Sequence, residues 1–217
     1  EIFKAYVIRG SVRESLTEPV VESIGRAVGS ETLDAGESTV VIGRDGRLSG
    51  AEMAGALANG IRATGCDVVD IGVVPTPLTY FATHHLGIGS AVSVTGSHNP
   101  PQYNGFKIMI AGDTLSGDRI QGLRCRIEEN RFANGIGAER GEDIRPAYRK
   151  RVINDISLQR PLRVVIDCGN GVGGSIAPQL LRDIGCDVID LFSEVDGTFP
   201  NHHPDPSQLD NLEDLIR

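Results

Sequence analysis

Two stretches of this chain repeat one another, and the repeat restricts the fold more than any other feature. Val40-Val41-Ile42, a glycine turn, a helical stretch and Gly65-Cys66-Asp67-Val68-Val69-Asp70 recur as Val164-Val165-Ile166, a glycine turn, a helical stretch and Gly185-Cys186-Asp187-Val188-Ile189-Asp190. A β-branched run, a helix and a second such run read as a parallel strand–helix–strand unit, because parallel neighbours need a long crossover. All such units look alike in outline. The shared Gly-Cys-Asp-Val favours true repetition, and with it two domains of related topology. Glycine, at 27 of 217 residues, is well above the average of roughly 7%, which suits many tight strand-to-helix turns. The expected class is α/β, with a mixed β-sheet between helices repeated in a second, related domain.

The remaining elements follow from periodicity and punctuation. Residues 3–10 read as a short strand ending in glycine. Thr17-Glu18-Pro19 offers a hydroxyl cap, an early acid and a first-turn proline, ahead of Val20, Val21, Ile24, Ala27 and Val28 at helical spacing. A strand at 39–43 enters Arg44-Asp45-Gly46-Arg47-Leu48-Ser49-Gly50. There Ser49 and Glu52 have capping-box spacing for a helix carrying Met53, Leu57 and Ile61. A strand at 66–72 is stopped by Pro75-Thr76-Pro77. Leu78, Phe81, Ala82 and Leu86 then mark a helix, with His84-His85 near its end as surface or dipole partners rather than metal ligands. Ser116 or Asp118 could cap a helix of Ile120, Leu123 and Ile127. The glycine-rich polar stretch 130–141 reads as a link, and Ile144, Tyr148, Val152 and Ile156 as a bridging helix. Asn201-His202-His203-Pro204-Asp205-Pro206 reads as a rigid linker in preference to a metal site, since no third ligand has suitable spacing, and a last helix starts near Gln208.

Between two strand patterns, 90–94 and 106–110, lies Thr95-Gly96-Ser97-His98-Asn99-Pro100-Pro101-Gln102-Tyr103-Asn104-Gly105-Phe106-Lys107. A hairpin turn would need only a few residues, and Pro-Pro cannot extend a sheet. A loop this polar presents one hydroxyl, Ser97, beside an imidazole, an amide and an ammonium, as a nucleophile or phosphate acceptor is presented. The same residues would also serve as a plain connection. His98 is not a base for Ser97 by adjacency, because neighbours on an extended chain point opposite ways.

The net charge of -8 argues against general affinity for nucleic acid or anionic membranes, and no apolar run reaches the length of a membrane span. Cys66, Cys125, Cys168 and Cys186 lie far apart, so zinc and disulfide frameworks are not expected and a reducing cytoplasm is the simplest location. No signal peptide is recognisable in these residues, but the chain starts at Glu1 and a few leading residues are expected to precede it.

The string Thr-Gly-Ser-His-Asn-Pro-Pro-x-Tyr-Asn-Gly-Phe-Lys resembles the phosphoserine loop of the α-D-phosphohexomutases, most closely the bacterial phosphomannomutase/phosphoglucomutase group. The opening Ala5-Tyr6-Val7-Ile8-Arg9-Gly10 and the turn Gly43-Arg44-Asp45-Gly46-Arg47 are similar to further motifs of that family, except that Val7 stands where an aspartate is usual. The resemblance runs over the whole chain. It implies a first domain over 1–142, a connecting helix or linker over 143–160, and an incomplete second domain over 161–217. The family's magnesium loop and sugar-recognition domains would lie beyond Arg217, so the chain is expected to be a truncated portion whose partners include its own missing C-terminal domains.

The resemblance also implies chemistry. The complete enzyme would interconvert hexose 1-phosphate and 6-phosphate of mannose or glucose, through a phosphoserine and a bisphosphate. Ser97 would carry the phosphoryl group and meet Mg2+ through it. Glucose 1,6-bisphosphate or mannose 1,6-bisphosphate would be activator and intermediate. Arg9, His98 and Lys107 would be catalytic, and Tyr6, Arg9 and Lys107 would bind the sugar phosphate. Arg44 and Arg47 are read as structural. A phosphoglucosamine mutase and a non-catalytic sugar-phosphate-binding fragment are the alternatives.

Overall fold

A computed structural model describes residues 2–217. The first unit is built on a seven-stranded sheet. Its strands are β1 (Ile8–Ser11), β2 (Thr39–Arg44), β3 (Asp67–Val73), β4 (Ser90–Val94), β5 (Tyr103–Ile110), β6 (Asp113–Thr114) and β7 (Glu139–Gly141). They run in the order β1-β5-β4-β2-β3-β7, with β6 also paired to β5. The pairs β2–β3, β2–β4 and β3–β7 are parallel, whereas β5 is antiparallel to each of its neighbours β1, β4 and β6. β5 alone runs against the rest.

Five helices flank this sheet: α1 (Glu18–Asp34), α2 (Gly50–Arg62), α3 (Thr76–Leu86), α4 (Asp118–Glu128) and α5 (Arg145–Asp155). Alternation along the strands divides the core in two. Val40, Ile42, Val92, Val94 and Phe106 face α1, α2 and α4, while Val41, Val69, Ile71 and Ala91 face Leu78 and Ala82 of α3 and Ile144. Phe106 is fully buried, so its loss would cost about 3–5 kcal/mol.

The second unit holds β8 (Arg163–Asp167), a 3₁₀ turn (Val172–Ser175), α6 (Ala177–Asp183), β9 (Asp187–Leu191), a second 3₁₀ turn (Leu209–Leu212) and α7 (Glu213–Ile216). The repeat read in the sequence is present in register. Thr39 and Val40 pair with Asp67 and Val68 as Arg163 and Val164 pair with Asp187 and Val188. Gly65 and Gly185 precede the second strand of each copy at positive φ, 93° and 100°, which only glycine adopts freely.

Several local expectations are corrected. The strand expected at residues 3–10 begins only at Ile8, because Lys4 N–H donates to the Val7 carbonyl (3.0 Å) and closes a turn before it. The expected return strand starts three residues earlier, at Tyr103, because Tyr103–Phe106 pair with β1. Thr17 makes no side-chain cap bond, and the capping box at Ser49 does not form. The Ser49 hydroxyl instead accepts from Asn104 Nδ2 at 3.0 Å. α4 is preceded by Gly117, with neither Ser116 nor Asp118 acting as cap. Three residues of the expected 130–141 link form the edge strand β7. The expected linker 201–206 folds back instead, with His202 Nε2 3.1 Å from both carboxylate oxygens of Asp167 and Asn201 Nδ2 donating to Asn170 Oδ1 at 2.7 Å.

The helices α1 and α2 cross closely through small residues. A Cβ on Gly60 would lie 2.1 Å from the Glu22 carbonyl oxygen, and one on Gly25 would lie 2.3 Å from that of Leu57. Gly60→Ala should therefore destabilise the protein by about 2 kcal/mol, although alanine favours a helix by up to ~1 kcal/mol. A urea melt with an unchanged or raised midpoint would contradict this packing.

Candidate active site

The Ser97 loop connects β4 to β5, and it owes its shape to the turn after β2. Asp45 Oδ2 accepts from the Thr95 hydroxyl at 2.7 Å and from Gly96 N–H at 3.2 Å, while Thr95 Oγ1 accepts from Ser97 N–H at 2.9 Å. The Arg47 side chain, with no exposure to solvent, reaches under the loop. Its Nη1 donates to the carbonyls of Pro100 (2.6 Å) and Tyr103 (3.0 Å), and its Nη2 to those of Ser97 (2.9 Å) and Asn99 (2.6 Å). Its Nε donates to Asp45 Oδ2 at 3.3 Å. Gly96 is required here, because a Cβ would sit 2.3 Å from both Cζ and Nε of Arg47. The reading of Arg47 as structural holds. Arg44 is likewise engaged, its Nη1 lying 3.1 Å from each Asp70 carboxylate oxygen.

Ser97 stands at positive φ, 54°, a left-handed conformation uncommon outside glycine and found at strained functional positions. This turn overrides the adjacency argument. Ser97 Oγ lies 3.3 Å from His98 Nδ1, because the chain there is not extended. Ser97 and His98 are thus brought together.

Arg9 and Lys107 are gathered by register. Arg9 lies opposite Gly105 and Lys107 opposite Ser93, and residues two apart on one strand share a face. Arg9, Gly105, Lys107 and Ser93 therefore share the face that α3 covers further along the sheet. Burial holds the Lys107 ammonium below its ordinary proton affinity, the Arg9 charge lowers it further, and Asp45 partly offsets both. Burial also lowers Arg9, whose Nε–H is buried with no partner among the described residues. A buried unpaired donor is costly and calls for an acceptor. Tyr6 is not drawn into this group: it is 77% exposed, beside the turn at the start of the chain.

Ser97 opens onto a cleft of ≈ 360 Å³ between the two units, within the range of small-molecule sites. Thr95, Asp45 and Gly46 line it on one side, Pro75-Thr76-Pro77 at the start of α3 on another, and Cys168, Asn170, Phe199 and Pro204 of the second unit on the third. Sequence reasoning missed Asp45 and Phe199. Asp45 was visible as an acid between two arginines in a glycine turn; Phe199 carried no local signal.

Residues 1–134 match the model of the phosphoglucomutase/phosphomannomutase alpha/beta/alpha domain I, and residues 146–217 match that of domain II. The chain belongs to the phosphoglucomutase/phosphomannomutase family. It is 55% identical over 215 residues to the phosphomannomutase/phosphoglucomutase of Pseudomonas aeruginosa, covering 99% of this chain and 46% of that protein. It is 47% identical over 218 residues to the phosphoglucomutase of Neisseria gonorrhoeae, covering all of this chain and 47% of that one. A crystal structure of a phosphoglucomutase/phosphomannomutase family protein from Burkholderia thailandensis superposes with a TM-score of 0.96 at 51% identity, over 99% of this chain and 49% of that chain. The chain thus spans about half the length of the curated relatives it matches. Among the described residues no helix is long and apolar enough to cross a membrane.

Three outcomes follow for this family member. Arg47→Lys, with too few donors for four carbonyls and Asp45, should lose about 3 kcal/mol in urea denaturation. Arg44→Lys, in a partly exposed pair, should lose about 1 kcal/mol or less. An anion bound beside Lys107 should raise its proton affinity again, so binding is linked to proton uptake. Phosphate affinity should then fall as pH rises through the lowered Lys107 pKa of the free protein. Titration of Lys107 by NMR, with and without phosphate, reads this directly.

Proposed function

We propose that this chain is the phosphoacceptor portion of a hexose-phosphate mutase acting on mannose or glucose phosphates. The observation that carries the reading is the Ser97 hydroxyl, held at positive φ beside His98 at the mouth of the inter-unit cleft. The unsatisfied Arg9 donor and the partly buried Lys107 ammonium share the adjoining sheet face. In our reading the first domain spans 1–142, a bridge spans 143–160, and the second domain begins at 161. α5, within the bridge, buries no residue.

In the proposed reaction a phosphoryl group on Ser97 Oγ passes to the free hydroxyl of a hexose 1- or 6-phosphate. The bond from Oγ to phosphorus breaks as the bond to the sugar oxygen forms, and the sugar hydroxyl proton passes through His98, 3.3 Å from Ser97 Oγ, to the serine oxygen that the phosphoryl group leaves. The bisphosphate, glucose 1,6-bisphosphate or its mannose counterpart, turns over and returns its other phosphoryl group to Ser97. Arg9 and Lys107 hold the transferring charge, while Tyr6, exposed and apart from them, is left out of the proposed contacts. The demands are in-line positioning and charge neutralisation.

Magnesium would neutralise charge on the transferring phosphoryl group. Among the described residues no three His, Cys, Asp or Glu side chains gather to hold a metal. These residues alone do not fit a magnesium site, and the proposed link to the ion is a phosphate on Ser97. The same observation favours binding without turnover for these 217 residues by themselves, with the further domains completing the enzyme. The four free cysteines support a cytoplasmic location in this reading.

The test is peptide mass after incubation with glucose 1,6-bisphosphate and magnesium, on this chain, a full-length chain and Ser97→Ala. Phosphate on Ser97 and nowhere else is expected in the full-length protein. Its absence from both lengths would overturn the mutase reading and leave a binding protein.

A further inference from the structure

Arg47 has five N–H donors, and the loop and Asp45 take all of them. Its π face is still open to a partner, and the second unit supplies one: the Phe199 ring centroid lies 5.2 Å from Cζ, within cation–π range. The ring is carried by a strap, residues 194–199, pressed on the turn after β2. A Cβ on Gly197 would stand 2.7 Å from both Gly46 O and Leu48 N and 2.9 Å from Arg47 Cα, and one on Gly46 would stand 2.2 Å from Val195 Cγ1.

The strap is itself held. Asn170 Nδ2 donates to Glu194 O at 3.0 Å and Asp196 N–H to Asn170 O at 3.0 Å. Thr198 N–H and hydroxyl both donate to Asp196 Oδ1, at 2.8 and 2.7 Å. Phe199 sits at positive φ, 53°, a conformation that persists in a large aromatic residue only where its surroundings impose it. The same residue lines the cleft onto which Ser97 opens.

We propose that Phe199 is a positioning residue for the phosphoacceptor loop, its ring seating the Arg47 guanidinium that sets the shape of the Ser97 turn. Phe199 acts through Arg47 and takes no part in the bond changes. A chain segment of the second unit thereby fixes the presentation of a hydroxyl in the first. The catalytic side of this inference rests on Ser97 being the phosphoryl acceptor; the mechanical side does not.

Hydrogen–deuterium exchange of the peptides spanning 95–103 tests the mechanical side in the 217-residue chain without substrate. Five amides there are hydrogen-bonded, those of Thr95, Gly96, Ser97, Asn99 and Tyr103, and their exchange reports local opening. Phe199→Leu, which keeps bulk and loses the π face, should raise their exchange about fivefold while β2–β4 stay protected. Phe199→Tyr should behave as wild type. Gly197→Ala, which keeps the ring but drives the strap off Arg47, should free the same peptides.

In the full-length protein Phe199→Leu should lower kcat by a similar factor with KM for the sugar phosphate unchanged, and Phe199→Tyr should restore it. Loop exchange unchanged in Phe199→Leu, or Tyr behaving as Leu, overturns the proposal, as does Gly197→Ala loosening the second unit alone. Wild-type protein that takes no phosphate on Ser97 while Phe199→Leu still frees the loop would sink the mutase reading and leave the clamp standing.

Discussion

The Arg47 guanidinium sits in the interior with a full set of acceptors, four of them backbone carbonyls: those of Ser97, Asn99 and Pro100 in the loop and that of Tyr103 where β5 begins. Taking such a charge out of water costs several kcal/mol, and burial does lower its proton affinity despite the nearby Asp45. The loop could not otherwise satisfy these carbonyls without water or a ladder partner. Charge-assisted bonds are about twice as strong as neutral ones, and four of them converge here from one planar group. The β2–α2 turn and the β4–β5 loop therefore behave as one body. Asp45 joins them a second time, through the Thr95 hydroxyl and Gly96 N–H.

The single reversed strand explains why the cationic groups meet. Because β5 doubles back on β4, Lys107 returns opposite Ser93, just before the loop that holds Ser97. β1 then pairs with β5, so a residue nine positions into the chain lies on the same face as one at 107. The α3-side core is formed by residues of β2, β3 and β4 with Leu78, Ala82 and Ile144, and includes none from β5 or β1. The face carrying Arg9 and Lys107 is accordingly left outside that layer, with both side chains half-buried.

What the sequence revealed was local chemistry, and what it hid was long-range. The repeat was legible because Gly-Cys-Asp-Val marks the same positive-φ entry to a strand in both copies. The box at Ser49 and Glu52 had the right spacing, yet Asn104, distant in sequence and fully buried, takes the Ser49 hydroxyl. β7 was invisible because Glu139, Arg140 and Gly141 are all exposed, so no alternation marks them. Arg9, Ser97, His98 and Lys107 were singled out through a family motif, whereas the contacts of Arg47 are to carbonyls, which every residue possesses. The Ser97–His98 contact was misjudged from adjacency because one positive φ reverses the usual strand geometry.

That same torsion narrows which side chains position 97 can accept. In the proposed reaction a left-handed residue here must supply a hydroxyl, yet β-branching penalises this backbone region. Threonine has the right oxygen and the wrong Cβ; asparagine and glycine fit the backbone and have no hydroxyl to give. Serine is where the two demands overlap, so the alphabet at this position is set as much by the backbone as by the chemistry.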